Sequence, residues 1–334
     1  MRNANSITSR ISYKITRTKQ YLGWQFGMGR HWFKNAKGAR ILVYHGVCRH
    51  DPLRFNSLFI TQKAFESHLR FYKEYFNVVS LDDFYAQRYD PGKFTVCLSF
   101  DDGFANNHSY VLPLLQQYQL PATFFITAIR AEGYDILWND FLSIITRYGP
   151  PVLEYKNEKY IRTAGRYVLS TDGKALADML RYTAFADKRE MMDQLAWVVD
   201  FKSSPQEKDY WCQMTGEQIR ELSASPLVTI GSHGYYHNDL AKIPLHLAAE
   251  ELTDSKKFLE KTTGKKIHAL AFPYGSYTPE LKEQAKAAGF SQLLATDFLF
   301  PDDAQDTTLR ERFTINPYIT VINQMYATVR GHYQ

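Results

Sequence analysis

Residues 94–104 read FTVCLSFDDGF, a mostly apolar, β-favouring run that stops on two adjacent aspartates and a glycine. A run that is apolar at nearly every position, rather than at every second one, predicts a strand covered on both faces, as parallel sheets are. Two neighbouring carboxylates at its end repel each other, and taking either from water is costly without compensation. A turn explains the ending, because Asp-Gly is a common turn pair. A bound cation explains it too, and the rest of the chain has to separate the two readings.

Outward from this stretch, similar runs recur: ILVYH (41–45), NVVS (77–80), ATFFIT (122–127), LVTIGSH (227–233), IHALAFP (267–273) and QLLAT (292–296). Helical patterns lie between most of them. Thr61–Phe76 puts Phe65, Leu69, Tyr72 and Phe76 on one stripe, and Pro244–Thr263 does the same with Leu245, Ala248, Leu252 and Leu259 before Gly264. Thr278–Ala288 has a Thr cap, Pro279 at the first helical position and Gly289 past the end. Strands alternating with helices predict parallel βαβ units, and fully apolar strands predict a doubly wound sheet or a (β/α) barrel. The alternation lapses at about 133–211, a charged stretch with helical patches (DFLSIITRYG, KREMMDQLAWVVDF), which reads as a mainly helical insertion between two halves of one barrel. The expected organisation is a basic arm over 1–38 and a barrel over 39–325 carrying that insertion.

The 334 residues have the composition of a globular protein, with 45% hydrophobic and 22% charged side chains. Three cysteines without CxxC spacing give no disulfide framework, which fits a reducing compartment. The net charge of +5 hides an asymmetry, since residues 1–40 hold nine Lys and Arg and no acid, leaving 31 basic against 35 acidic side chains in the rest. In the arm Ile7, Ile11, Ile15 and Leu22 keep helical spacing among basic residues, followed by Trp24 and Phe26. That pattern suits either an anionic membrane surface or packing on the protein's own domain. The arm is no continuous apolar core, so it does not read as a signal peptide, and the expected location is the cytoplasm or the inner membrane face. No phosphate loop or nucleic-acid recognition module is present.

In parallel α/β folds functional groups gather at strand carboxyl ends, and here those ends are polar: Tyr44-His45, Asp101-Asp102-Gly103, Ser232-His233 with His237 four residues on, Pro273-Tyr274-Gly275 and Thr296-Asp297. One carboxylate and two imidazoles supply three ligands for Zn²⁺ or a similar ion and leave a position open, the catalytic pattern. The spare carboxylate is then free to act as a base. Trp138, Asn139 and Asp140 open the insertion, where Trp138 reads as core; Cys97 reads as a small apolar residue, and Cys48 has no activating partner.

In this order, SFDDGF, GSHGYYH and AFPYGSY resemble the motifs of the polysaccharide deacetylases, carbohydrate esterase family 4 with its NodB homology domain. ILVYHGV and TQKAFESHLRFYKEYFNVVSLDDF are similar to that family's entry strand and first helix, and the likeness covers roughly residues 40–130 and 213–315. The resemblance implies a distorted (β/α) barrel of about seven parallel strands and metal-dependent removal of N-acetyl groups from an amino sugar in a polysaccharide, an oligosaccharide or a lipid-linked intermediate. It makes Asp101 the catalytic base, Asp102, His233 and His237 the metal ligands, and Pro273 and Tyr274 the substrate groove, with the Tyr274 backbone N–H on the oxyanion. The implied metal is divalent: zinc, with cobalt, nickel, manganese or iron as alternatives.

Two departures stand out. The family often carries an arginine two residues before the groove proline to orient the base, and this chain has Ala271; the family's late histidine, its general acid, has no clear counterpart. The poly-N-acetylglucosamine deacetylase branch is similar in lacking that arginine and using an early histidine. Because the first strand of a closed barrel neighbours the last, His45 is the expected general acid. O-deacetylation, cyclic-amide hydrolysis on the same barrel, and carbohydrate binding without catalysis are the competing functions.

Overall fold

The computed structural model describes residues 7–198 and 205–333, and the side chains of 14–198 and 207–333. In chain order its strands are β1 (Ala39–Tyr44), β2 (Val47–Cys48), β3 (Ile60–Thr61), β4 (Phe76–Val79), β5 (Phe94–Phe100), β6 (Ala122–Ile126), β7 (Val152–Tyr155), β8 (Glu158–Thr163), β9 (Arg166–Leu169), β10 (Val228–Ser232), β11 (Ala269–Ala271), β12 (Gln292–Ala295) and β13 (Leu309–Thr314). Parallel pairing runs β1–β13–β12–β11–β10–β6–β5 and closes through β5 and β1, a barrel of seven strands. Every residue of β5 is buried, as its continuous apolar run requires.

The ring is not composed of the seven runs picked out by apolar character. The 77–80 run forms β4, which pairs with the first half of β5 (Phe76 to Phe94, Val79 to Cys97) outside the ring. Its place is taken by β13, LRERFT, whose charged residues disguise a strand that lies between β1 and β12. Inside the ring Ile41, Cys97, Phe125, Ala269, Ala271 and Leu294 pack together with Leu81 and Phe84 from the short helix Leu81–Tyr85. A larger core joins the outer strand faces to the helices.

Helix boundaries follow the capping signals. Thr61 accepts a hydrogen bond from the Ala64 N–H and opens the helix Gln62–Tyr75, so Phe76 falls outside it and begins β4. Thr278 caps Pro279–Ala287 in the same way, and Gly264 closes Leu245–Thr263 in the left-handed conformation. Leu245, placed on the apolar stripe by spacing, is exposed at the first turn of its helix.

Among the described residues no barrel strand lies between Ile126 and Val228. This stretch holds the helices Trp138–Tyr148, Leu176–Arg181 and Phe185–Gln194, and also an antiparallel sheet, β7–β8–β9, that helical patterning did not reveal. Both its hairpins turn on pairs of left-handed residues, Lys156-Asn157 and Ala164-Gly165, the conformation that two-residue hairpin loops demand. The end of the KREMMDQLAWVVDF patch, from Val199, lies outside the described residues. At the other end of the chain the arm forms the helices Ile7–Gln25 and Met28–Lys34. Trp24 packs on Phe33, Phe71 and Tyr75, so the arm docks on its own barrel. Residues 1–6 and the side chains of Ile7 and Ile11 lie outside the described residues.

Candidate active site

Strand register brings the polar endings to one rim. Tyr44 pairs with Phe100, Phe100 with Phe124, Ile126 with Ser232 and Ser232 with Leu270, so the residues that follow these strands emerge side by side. The Asp101 N–H donates to the Tyr44 carbonyl and the His233 N–H to that of Ile126, extending the ladder one step beyond the strands. The Asp102-Gly103 pair is indeed a turn, and the turn also aims Asp102 across the rim.

Asp102, His233 and His237 are all buried and their ligating atoms converge. Asp102 Oδ1 lies 3.4 Å from His233 Nε2 and 3.2 Å from His237 Nε2. His233 Nδ1 hydrogen-bonds the Ala271 carbonyl at 2.8 Å, which puts the ring proton there and leaves Nε2 free to ligate. Burial pushes the Asp102 carboxyl up, but the fields of His237 and His233 outweigh it and hold it well below the usual range. Two nitrogens and one carboxylate oxygen, with Asp102 Oδ1 buried and lacking a hydrogen-bond donor, fit a divalent transition metal with an open position.

Asp101 is held by a residue that the sequence reading missed. Arg312 of β13 grips its carboxylate with two parallel bonds, Nη1 to Oδ1 and Nη2 to Oδ2, each 2.7 Å, with both side chains buried. Burial raises the Asp101 carboxyl, and Arg312 then His233 more than reverse this, so it stays ionised. Arg312 therefore orients the Asp101 carboxylate, a contact that Ala271 cannot make, from two strands away around the ring.

His45 follows β1, whose neighbours are β5 and β13, and it sits in the fields of Asp102 and Asp101. Its carbonyl accepts from Asn107, and its Nδ1 is buried without a partner. Burial lowers its pKa against the pull of both aspartates, so the imidazole rests neutral. Tyr274 packs its ring 4.9 Å from that of His237, and its backbone N–H makes no hydrogen bond among the described residues.

Strain concentrates here. Asp102 (φ 74°), His237 (φ 58°) and Tyr274 (φ 61°) all adopt the left-handed conformation that non-glycine residues avoid. Gly275, at φ 65°, follows because a Cβ there would lie 2.1 Å from Thr296 Oγ1.

The stretch between β6 and β10 reaches into the same loops. Trp138 is buried as expected, and its Nε1–H donates to the His237 carbonyl at 3.0 Å. Arg181 Nε binds the fully buried Asp239 at 2.7 Å, and Phe185 stacks on Tyr236 with centroids 4.1 Å apart. Lys188, also fully buried, donates to Asn238, which in turn donates to Glu251 Oε1 at 2.5 Å. Glu251 Oε2 accepts the Tyr235 and Tyr236 N–H groups. The loop bearing the second histidine is thus gripped at every position from 236 to 239. Asp140 is buried nearby, its carboxyl pushed well up by burial and by Asp102. Asp297 is exposed beyond β12. Cys97 is core, and burial pushes the Cys48 thiol up to about 12, an inert state.

A seven-stranded parallel barrel whose carboxyl rim joins an Asp/His/His cluster to an arginine-held carboxylate has the architecture of a hydrolase. The chain belongs to the polysaccharide deacetylase family, whose sequence model matches residues 88–163 and 179–293. The Bacillus subtilis protein named "Putative polysaccharide deacetylase YxkH" is 30% identical over 101 residues, 28% of this chain; the match spans about a third (34%) of that relative's length. The fold is similar to that of the Streptococcus pyogenes deacetylase PplD in complex with acetate, with a TM-score of 0.56 at 17% identity over 88% of this chain and 99% of that one. It is also similar to IcaB from Ammonifex degensii, with a TM-score of 0.53 at 20% identity over 89% and 98%.

Proposed function

We propose that the protein is a metal-dependent N-deacetylase of an amino sugar within an oligo- or polysaccharide or a lipid-linked intermediate, of the poly-N-acetylglucosamine deacetylase type. The observation that carries this reading is the pairing of two sites at one rim: His233 and His237 converging on Asp102, and Asp101 beside them held ionised by Arg312. Asp102, His233 and His237 would hold the metal, zinc by their chemistry. When bound, such an ion polarises a carbonyl and acidifies water.

The protein's own groups divide the remaining work. Asp101 takes the proton of the attacking water, and its fixed fork with Arg312 keeps it from swinging away or protonating at rest. The free Tyr274 N–H binds the carbonyl oxygen as it becomes an oxyanion, with the left-handed turn at Tyr274 and Pro273 before it setting its direction. His45 rests neutral, takes a proton from solvent as negative charge develops beside it and delivers it to the departing nitrogen, while Asp101 returns the water's proton to solvent and regains its charge. Acetate and a free amine result.

Product analysis tests the assignment against O-deacetylation and cyclic-amide hydrolysis. A primary amine appearing with one equivalent of acetate, lost in Asp101→Asn, supports it; a free hydroxyl or an opened ring in place of the amine contradicts it. Binding without turnover under every metal condition would favour a carbohydrate-binding role.

The arm supports a location at an anionic membrane surface on the cytoplasmic side. Ile15, Tyr21, Leu22, Phe26, Met28 and Trp32 are exposed on an arm that also carries Lys14, Arg17, Lys19, Arg30, Lys34 and Lys37. No helix among the described residues is long and apolar enough to cross a membrane. Removal of residues 1–38 should abolish sedimentation with phosphatidylserine vesicles, and unchanged sedimentation would end this part of the reading.

A further inference from the structure

The two helices of the arm and the last helix of the chain, Val321–Arg330, enclose a groove of about 400 Å³. Two contacts fix its place in the fold. Arg40, at the start of β1, donates from Nε to the Thr328 carbonyl, and Phe33 packs on Phe76, the first residue of β4. The groove therefore lies at the amino ends of the strands, the opposite end of the barrel from Asp102 and its partners.

Two cations face this one space. Arg330 is seated on aromatic rings, its guanidinium 5.8 Å from the Trp32 centroid and 5.3 Å from that of Tyr326, which orders the charge without neutralising it. Lys19 lines the groove from the first arm helix. Among the described residues neither cation has a carboxylate partner, and no acidic side chain lines the groove. The resulting positive potential favours an anion. Thr16 and Gln20 add neutral hydrogen-bonding groups to the wall. The border is apolar: Met28 lines the groove, and Leu22 and Phe26 of the same arm are exposed, Phe26 by 77%. A small anion in water gains nothing from such a border, whereas a phospholipid presents a phosphate directly above apolar chains. The volume falls within the ~300–1,000 Å³ of small-molecule pockets, enough for one headgroup.

We propose that this groove binds the phosphate of an anionic phospholipid, clasped between Lys19 and Arg330, so that the arm holds the barrel to a membrane through a defined site and not by charge alone. The proposal rests on the reading of the arm as a membrane-surface element, while headgroup binding in solution tests it separately.

The test uses the full chain and phosphatidylglycerol, whose phosphate is its only charge, both in phosphatidylcholine vesicles and as the short-chain dihexanoyl lipid for calorimetry. Lys19→Gln with Arg330→Gln removes both groove cations; Lys14→Gln with Lys34→Gln removes the same charge from arm positions outside the groove. Gly23→Leu keeps every charge and fills the groove, since a Cβ on Gly23 meets nothing within 4 Å. Lys19 and Arg330 are exposed, so the fold tolerates their loss, which circular dichroism checks. The groove pair should weaken vesicle binding by roughly tenfold or more beyond the charge-matched pair, the worth of hydrogen bonds to charged groups. Gly23→Leu should weaken it by a similar factor, where attraction by charge and apolar surface alone would leave it equal or tighter. Equal losses in the two pairs, or a Gly23→Leu protein that binds as well as wild type, would overturn the site and leave the arm's membrane role standing. If the wild type fails to sediment but binds the dihexanoyl lipid, and the groove variants weaken that binding, the membrane reading falls and the site stands. A wild type that binds neither overturns both. Glycerol phosphate binding as tightly as the dihexanoyl lipid would assign the groove to a soluble phosphate and overturn the lipid.

Discussion

Arg312 shows how one side chain fixes the chemistry of another. With it, Asp101 is a buried, ionised, oriented carboxylate, as the proposed base must be; without it, Asp101 is a buried carboxylate lacking its main partner. Arg312→Met should therefore destabilise the protein by about 3–5 kcal/mol, the cost of orphaning a buried charge, and should abolish turnover. Adding Asp101→Asn should restore much of the stability and none of the activity, which denaturant titration and acetate assay would separate. A full return of activity in the double variant would remove Asp101 from the mechanism. The arginine was hidden in the sequence because a charged residue in LRERFT reads as solvated, whereas the aspartates and histidines stand in short motifs whose residue types announce their chemistry.

His68 offers a second residue-scale expectation. It is buried, hydrogen-bonded through Nδ1 to the Tyr44 hydroxyl at 3.0 Å, and burial lowers its pKa to about 3. Between its unfolded value near ~6.5 and that folded value only the unfolded state takes the proton, so its contribution is complete above about pH 6.5 and is lost as pH falls. The wild-type minus His68→Gln stability difference should shrink by up to about 1.4 kcal/mol per pH unit through that window, as read by urea unfolding at successive pH values. A difference independent of pH would contradict the buried neutral imidazole.

At the scale of elements, the stretch between β6 and β10 is part of the site. Apolar runs, capping threonines and closing glycines made the barrel's parallel units legible from the sequence, because local propensity and burial agree there. The role of this stretch was not legible: Arg181 and Lys188 look like surface charges until folding pairs Arg181 with the buried Asp239 and buries Lys188 against Asn238. Its β7–β9 sheet was equally obscure, being short and polar on its outer face. Through Asn238, Lys188 holds the loop that carries the strained His237. Lys188→Met should lower metal affinity by roughly 10- to 100-fold, the usual penalty for losing a supporting contact behind a ligand, with the barrel's circular dichroism unchanged. Wild-type affinity in that variant would make the grip structural decoration.

For the whole molecule, the seven-stranded ring explains why residues from β1, β5, β10, β11 and β13 meet although they span the chain from His45 to Arg312. A barrel closed by pairing of its first strand with both β5 and β13 has no free edge between His45 and Asp101, and the rim is assembled by register alone. We propose that this rim holds one catalytic metal. The most direct measurement is metal content together with acetate release, made on wild type, Asp102→Ala and His233→Ala with N-acetylated oligosaccharides and added Zn²⁺ or Co²⁺. One equivalent of metal in the wild type, its loss in both variants, and acetate release that follows the metal are the predicted result. A wild-type protein that binds no metal, or releases acetate equally well with both ligands removed, would contradict it.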